Sequence, residues 1–147
     1  MARAQVSIDF LFAVVLVMLT VLNLVYIATG ERAQAEEFDL LAKLKVFTVD
    51  VRDTTVKVYS VGDGFRVRKE LPIELKPGEW VVVALNSKTD KVVVTAKIGG
   101  KSYKTEQKLS VPIYEDSSVN LTSGNSVFWI EAEYDKTGGK TNVTLSP

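Results

Sequence analysis

Apolar residues are concentrated in one run near the start of the chain. From Phe10 to Ala28 there is no charged residue, and only Thr20 and Asn23 are clearly polar. An α-helix rises about 1.5 Å per residue, so these roughly 19 residues extend over about 30 Å, the hydrocarbon thickness of a bilayer. The pattern therefore predicts a helix that can cross a membrane, over about residues 10–28.

The helical pattern continues beyond the apolar run. The segment from Glu31 to about Val49 consists largely of strong helix formers, without Gly, Pro or Ser. Asp39 and Lys43 stand four residues apart, the spacing of a helical ion pair. Apolar residues recur near helical spacing at Ala35, Phe38, Leu41, Leu44 and Phe47. We expect one helix over residues 5–49, with this stripe packed on the following domain. The alternative is a short helix followed by a flexible linker.

After residue 49 the apolar period changes from helical to two, which is typical of β-strands. Turns that contain Gly or Pro separate the alternating segments, and residues 86–90 and 115–118 are predicted to be polar loops. The predicted strands cover residues 56–59, 65–68, 71–75, 80–85, 92–98, 101–110, 127–134 and 142–145. Some seven to nine short strands predict a small antiparallel β-sandwich over residues 50–147. The expected fold class is α+β, a long N-terminal transmembrane helix followed by this sandwich.

Composition excludes several kinds of function. The 147 residues include 18 basic and 18 acidic ones, so no excess of positive charge is available for a nucleic-acid partner. The absence of Cys and His removes disulfides, thiol nucleophiles, the commonest general base and the commonest metal ligand. We therefore expect no enzyme, no cofactor and no metal site.

Three interpretations fit the first thirty residues. A secretory signal peptide would end at a small-x-small site such as Ala33-Gln34-Ala35, but its apolar core normally has only about 7–15 residues. An uncleaved membrane anchor is the second interpretation. Arg3, on the short side of the apolar run, favours a cytoplasmic N-terminus and an extracellular C-terminal domain. The third interpretation depends on the residues that precede Phe10.

The string from Ala4 to Phe10, AQVSIDF, closely resembles the processing site of archaeal type IV pilin precursors with a class III signal peptide. That pattern has a short basic leader, a small residue, and then Gln-x-Ser-x-(Glu/Asp)-Phe, which Gln5, Ser7, Asp9 and Phe10 match. The resemblance implies that residues 1–4 are a leader, which a prepilin peptidase removes by cutting between Ala4 and Gln5. Ala4 stands where Gly is common, and Asp9 where Glu is commoner. The resemblance covers only about the first thirty residues.

The charge of Asp9 needs a partner at the start of an apolar helix, and cleavage would supply one. A carboxylate in apolar surroundings costs several kcal/mol unless it is paired. The helix dipole favours a negative charge near the N-terminus by about 0.3–1 kcal/mol. A stronger partner would be the ammonium of a processed Gln5, on the same or a neighbouring subunit, which exists only after cleavage. The alternative is that Asp9 merely reaches the lipid headgroups.

The resemblance implies a pilin-like structural subunit, major or minor, of an archaeal surface filament with a possible role in cell adhesion. Its expected partners are a prepilin peptidase, copies of itself or other pilins, an assembly ATPase, a platform membrane protein, and membrane lipid before assembly. The alternative function is a monomeric extracellular domain, membrane-anchored or secreted, that binds a sugar or a solute. An enzyme is the third and least favoured possibility.

Aromatic and acidic residues of the C-terminal domain carry weaker expectations. If Phe128 and Ile130 point inward, Trp129 lies on the opposite face of its strand. Its default role is to pack against the long helix, and the alternatives are contact with a neighbouring subunit or with a sugar. Trp80 is expected in the core. Asp63, between two glycines, is expected in a turn rather than a calcium loop. Paired acids without a ligand set are expected to be solvated: Asp50, Asp53, Glu131 and Glu133.

Two sequons follow on the expected extracellular side. They are Asn120-Leu121-Thr122 and Asn142-Val143-Thr144. Each supplies an amide that an oligosaccharyltransferase could modify if the segment is exposed. We expect N-glycosylation at Asn120 more than at Asn142, which lies in a predicted strand.

Overall fold

The fold was obtained as a computed structural model, which describes residues 2–147 and their side chains from Ile8 onward, apart from that of Ala33. One helix, α1, runs over Ala2–Val61. Seven strands follow: β1 Arg66–Glu70, β2 Trp80–Asn86, β3 Lys91–Ile98, β4 Lys101–Lys108, β5 Ser117–Thr122, β6 Val127–Asp135 and β7 Lys140–Ser146. The chain forms two compact units, the first ending at Leu40 and the second beginning at Leu41. The predicted α+β class is confirmed.

The strands form two antiparallel sheets in the second unit. One has three strands in the order β1-β6-β7, and the other has four in the order β4-β3-β2-β5. The sheets adjoin where β7 lies beside β5, and there the Leu145 N–H donates to Ser117 Oγ at 3.1 Å. Glycines form the tight β3–β4 connection, since Gly99 and Gly100 have φ of 59° and 77°, which other residues rarely adopt.

The last part of α1, residues 41–61, belongs to the core of the second unit, and we call it the helix tail. The Phe47 ring meets that of Phe128 on β6 edge to face, with centroids 6.2 Å apart. Thr48 Oγ1 hydrogen-bonds Thr105 Oγ1 on β4. Lys69 Nζ on β1 donates to the Asp50 carboxylate at 2.7 Å. The helix tail thus contacts both sheets, so the core has a third component beside the two sheets of the expected sandwich.

The helix extends twelve residues beyond its predicted end, so the strand predicted at residues 56–59 is wrong. The buried positions of the helix tail, single residues or adjacent pairs, recur every three or four residues, which is the helical repeat. They are Leu44, Phe47, Thr48, Val51, Thr54, Thr55 and Val58. The alternation of Val56 and Val58 with polar neighbours is only local. α1 ends at Val61, and the next residue, Gly62, has a φ of 92° that suits the position after a helix C-terminus. The Gly62 N–H donates to the Val58 carbonyl at 3.1 Å.

Threonine conceals this helical pattern in the sequence. Thr48, Thr54 and Thr55 occupy core positions although they carry hydroxyls. Thr48 Oγ1 donates to the Leu44 carbonyl at 2.7 Å, and Thr55 Oγ1 donates to the Val51 carbonyl at 2.8 Å. Because the hydroxyls of Thr48 and Thr55 are satisfied by the helix itself, burying them carries no penalty for an unpaired polar group.

The predicted apolar stripe is buried only in part. Leu44 and Phe47 are 1% and 2% exposed, as expected, whereas Phe38 is 69% exposed and Ala35 is also exposed. The strands also differ from the prediction in two places. Residues 71–75 form an irregular segment in which Leu71 alone is buried, and β5 lies where no strand was predicted.

Candidate functional site

The surface of the apolar run is the most distinctive chemical feature of the chain. Within the described residues there is one helix long and apolar enough to span a membrane, and the side chains of its apolar stretch are exposed. Phe10 is 71% exposed, and Tyr26 80%. A helix that is apolar on every side is suited to lipid or to contact with other apolar helices. The large exposed side chains between these two are Leu11, Phe12, Val15, Leu16, Val17, Met18, Leu19, Val21, Leu22, Leu24 and Val25.

Polar groups within this run are satisfied by the helix backbone. Thr20 Oγ1 donates to the Leu16 carbonyl at 2.8 Å, and Asn23 Nδ2 donates to the Leu19 carbonyl at 2.9 Å. Hydrocarbon offers no hydrogen-bond partners, so polar side chains that return to their own backbone lower the cost of placing them there. The run is therefore compatible with a membrane or with a dry helix bundle along its whole length.

Asp9 is exposed directly before the exposed ring of Phe10. Among the side chains that the structure describes, Asp9 has no ion-pair partner. Ala4, Gln5 and Ser7 have helical backbone, and their side chains lie outside the described set, as does Met1 entirely. The predicted cleavage site and processing motif therefore stay predictions.

A shallow apolar groove follows Phe10 along the helix surface. It has a volume of about 360 Å³. Its lining consists of Phe10, Ala13, Val14, Val17 and Met18. The small side chain at Ala13 leaves room between larger neighbours, which is the geometry that allows close packing of a second helix.

The two tryptophans lie on outward faces of the sheets. Phe128 and Ile130 are buried, and Trp129 is on the opposite face, as expected. The predicted packing of Trp129 against the long helix is wrong, because Phe128 makes that contact. Trp129 instead lies under the guanidinium of Arg66, whose carbon is 4.9 Å from the ring centroid. Trp80 is only half-buried, on the outward face of β2, so its assignment to the core is also wrong.

The sequon asparagines both lie in strands. Asn120 is exposed on β5, and Asn142 is half-buried on β7. The residue between Asn120 and Thr122 is the fully buried Leu121. Exposure agrees with the preference for Asn120, and glycosylation at either residue stays a prediction.

Carboxylates of the second unit organise turns and pair with neighbouring cations. Asp63 Oδ1 accepts the Tyr134 N–H at 2.8 Å, which fixes the predicted turn to β6. Hydrogen bonds from the backbone N–H of Lys76 and Gly99 lower the pKa of Glu79. Hydrogen bonds from the backbone N–H and the hydroxyl of Ser87 likewise lower the pKa of Asp116. Glu79 and Asp116 therefore favour their ionised form, whereas a general acid needs a raised pKa.

The remaining acid pairs are exposed or half-exposed, in agreement with their expected solvation. Asp50 binds Lys69, Asp53 binds Arg52 at 2.7 Å, and Glu133 is exposed. Within the described part of the chain, no group of three acidic side chains is arranged to hold a metal ion. The absence of enzymatic activity and of a cofactor stays a prediction.

No family model, curated protein or solved structure matches this chain. The chemistry of the helix surface and of the residues that precede it is therefore the basis on which a function is inferred.

Proposed function

We propose that this chain is a pilin-like structural subunit, major or minor, of an archaeal type IV pilus-like surface filament. It is exported as a precursor, and a prepilin peptidase cleaves it between Ala4 and Gln5. The observation that carries the proposal is the exposed, uncharged and predominantly apolar surface of residues 10–28, preceded directly by Asp9. The precursor resides in the cell membrane with a cytoplasmic N-terminus and an extracellular C-terminal domain.

The apolar surface supports assembly because it has two suitable environments. Before assembly, lipid surrounds residues 10–28. In a filament, the same residues of neighbouring subunits surround one another and form a core from which water is excluded. Grooves such as the one at Ala13 would receive side chains of a neighbouring helix, and packing is the main force that associates helices in an apolar medium. An assembly ATPase and a platform membrane protein would extract the helices from lipid.

Asp9 would set the register of the assembled helices. In an apolar core its charge needs a partner, and the free ammonium of Gln5 supplies one only after the leader has been removed. Cleavage thus converts a helix that is stable in lipid into one that can bind its neighbour with a defined offset. The C-terminal domain would lie on the filament surface and carry any adhesive function.

The decisive measurement is mass spectrometry of the mature N-terminus in the native cells. A first residue at Gln5 supports the proposal. A start near Glu36 indicates ordinary secretion, and an intact leader indicates an uncleaved anchor; either result would overturn it. An Ala4→Trp variant should remain uncut, and its normal maturation would count against the site.

Filaments sheared from cells test the role of Asp9 separately from cleavage. We expect Asp9→Asn to be cleaved but not incorporated into filaments, whereas Asp9→Glu keeps the charge and is incorporated. Equal incorporation of both variants would show that the carboxylate does not set the register.

A monomeric binding domain is the second candidate. An open groove of about 370 Å³ in the second unit favours it, with the carboxylates of Glu70 and Glu74 and the hydroxyls of Ser123 and Ser126 in its lining. A membrane-bound monomer that retains a sugar or solute through purification, and is absent from sheared filaments, would establish this alternative.

A further inference from the structure

The outward face of strands β3 and β4 is strongly basic. We define the lysine face as Lys91, Lys97, Lys104 and Lys108. Val92, Val94 and Ala96 point into the core, so the alternating residues of β3 point outward. The antiparallel register then sets the two strands' lysines side by side, with Lys91 opposite Lys108 and Thr95 opposite Lys104.

This face has little negative charge of its own. Its one acid on β3 and β4, Glu106, is bound by Lys91 Nζ at 2.6 Å and lies 3.8 Å from Lys104 Nζ. Four lysines and one glutamate leave a net charge of +3 in a chain whose formal net charge is zero. Among the described side chains, Lys97 and Lys108 have no ion-pair partner.

Such an arrangement is unfavourable for the isolated sheet. Like charges directly opposite each other on neighbouring strands are destabilising, and Lys91 and Lys108 form such a pair. An anionic partner would turn this repulsion into attraction. Beside the lysines lies a shallow groove of about 440 Å³, whose lining includes Ala84, Val93 and Lys104. Asp116 also lines it, and its carboxylate accepts two hydrogen bonds from Ser87. This groove offers a partly apolar floor, as interface centres generally do.

An excess of negative charge that matches this face lies in one short segment of α1. We define the acidic segment as residues 31–39, which contain four acids and one arginine, a net charge of −3. Glu31 and Glu36 in this segment are exposed. At about 1.5 Å per residue the segment is roughly 12 Å long. Lys104 and Lys108, four strand residues apart, are separated by roughly 13 Å. The two surfaces therefore agree in length and are opposite in charge.

We propose that the lysine face binds the acidic segment of a second copy of this chain. This inference rests on the proposed function, because copies stored in one membrane and packed in one filament meet at high local concentration. Each copy supplies one basic and one acidic surface, so the contact can repeat from subunit to subunit without any other partner. It would add a salt-sensitive contact outside the apolar core, since screening at physiological ionic strength acts over about 8 Å.

Charge reversal on full-length chains tests the contact. Variant A carries Lys104→Glu and Lys108→Glu, and variant B carries Glu31→Lys and Glu36→Lys. Cells producing A alone or B alone should release about tenfold fewer sheared filaments than wild type, since each reversal replaces attraction by repulsion. Cells producing both should recover the wild-type yield, because A and B are complementary in both directions. A chain with all four substitutions should also assemble.

A matched control separates this contact from a general effect of charge. Lys57→Glu with Lys136→Glu changes the net charge by the same amount at two exposed lysines outside the lysine face. This control should leave the yield unchanged. The chain has no cysteine, so Lys104→Cys in one copy and Glu36→Cys in another provide a unique disulfide between copies. That disulfide should form in filaments and disappear when Cys is moved to residue 57.

The outcomes distinguish this inference from the proposed function. Absence of wild-type filaments and of cleavage at Gln5 would refute the proposed function. Wild-type filaments with unchanged yields for A and for B would refute the lysine-face contact alone. A reduced yield for A that B does not restore would also refute it. Binding of wild type, but not A, to phosphatidylglycerol vesicles over phosphatidylcholine vesicles would then identify anionic lipid as the partner.

Discussion

Replacing Phe47 by Ala should destabilise the second unit strongly, because the helix tail is part of its core. Phe47 is 2% exposed and its ring is 6.2 Å from that of Phe128, at an interplanar angle of 81°. Truncating a buried Phe to Ala typically costs about 3–5 kcal/mol, a large share of the roughly 5–15 kcal/mol that stabilises a domain. We therefore expect the free energy of unfolding to fall by about that amount.

The adjacent residue is a matched control. Val46 is 69% exposed, so Val46→Ala should change the free energy of unfolding by less than about 0.5 kcal/mol. Urea unfolding of the full chain in mild detergent, followed by tryptophan fluorescence, measures both variants. The only tryptophans of the chain, Trp80 and Trp129, lie on strands and report on the sheets.

A double-mutant cycle isolates the aromatic contact from simple burial. Phe47→Leu, Phe128→Leu and the double variant should give a coupling energy of about 0.5–1.5 kcal/mol. If Phe47→Ala and Val46→Ala unfold at the same urea concentration, the helix tail does not fold cooperatively with the sheets, which contradicts its place in their core.

Three further predictions concern the sheets. Gly99→Ala should lower the free energy of unfolding by about 1–2 kcal/mol, because a φ of 59° is unfavourable for other residues. Gly124→Ala is the control and should be nearly neutral, since Gly124 has neither a positive φ nor close neighbours. Equal effects of the two substitutions in thermal unfolding would contradict this prediction. Arg66→Ala should shift the fluorescence maximum of Trp129 and cost about 0.5–1 kcal/mol, and an unchanged spectrum would exclude the contact. Hydrogen bonds from the backbone N–H groups of Thr137 and Gly138 lower the pKa of Asp135 below its ordinary value of 3.8. The folded state therefore favours the ionised carboxylate, and the free energy of unfolding should fall as the pH drops from 3.8 through the folded-state pKa. Asp135→Asn should show a shallower fall in urea titrations over this range, and an identical slope would refute the assignment.

Alternating apolar residues between glycine turns were a sufficient signal for most of the sheets. β2, β3, β4 and β6 lie close to their predicted ranges, and the Gly99-Gly100 turn has the expected geometry. β5 was missed although Val119 and Leu121 alternate there, because the surrounding serines and asparagine resemble a loop. Pairing with β2 on a buried face outweighed that weak local preference.

The end of α1 was mispredicted because two periods coexist in the same residues. Val56 and Val58 fit a strand, while Val51, Thr55 and Val58 fit a helix. The helical pattern is distinguished from the strand pattern only if Thr55 is counted as a core residue. It can be one because its hydroxyl is hydrogen-bonded to the helix backbone. Sequence alone does not contain this information, because the burial of Thr55 depends on the strands that surround it.

Surface features were the least predictable part of the chain. The exposed apolar run and Asp9 follow directly from the sequence. The lysine face does not, since its residues come from two strands and meet only through the register of β3 with β4. The net charge of the chain gives no sign of the lysine face, because acidic residues elsewhere bring the total to zero.

The position of the helix tail in the core has a consequence for the order of events during synthesis. Its apolar side must wait for β6, near the end of the polypeptide, before Phe47 meets Phe128. At translation rates of about 5–20 residues per second, the roughly 80 intervening residues take about 4–16 s to emerge. β1 waits for the same strand, since β6 is its hydrogen-bonded neighbour. Throughout this interval a partly folded intermediate exposes the apolar side of the helix tail, so a chaperone that binds this side until β6 has emerged would protect the chain from aggregation.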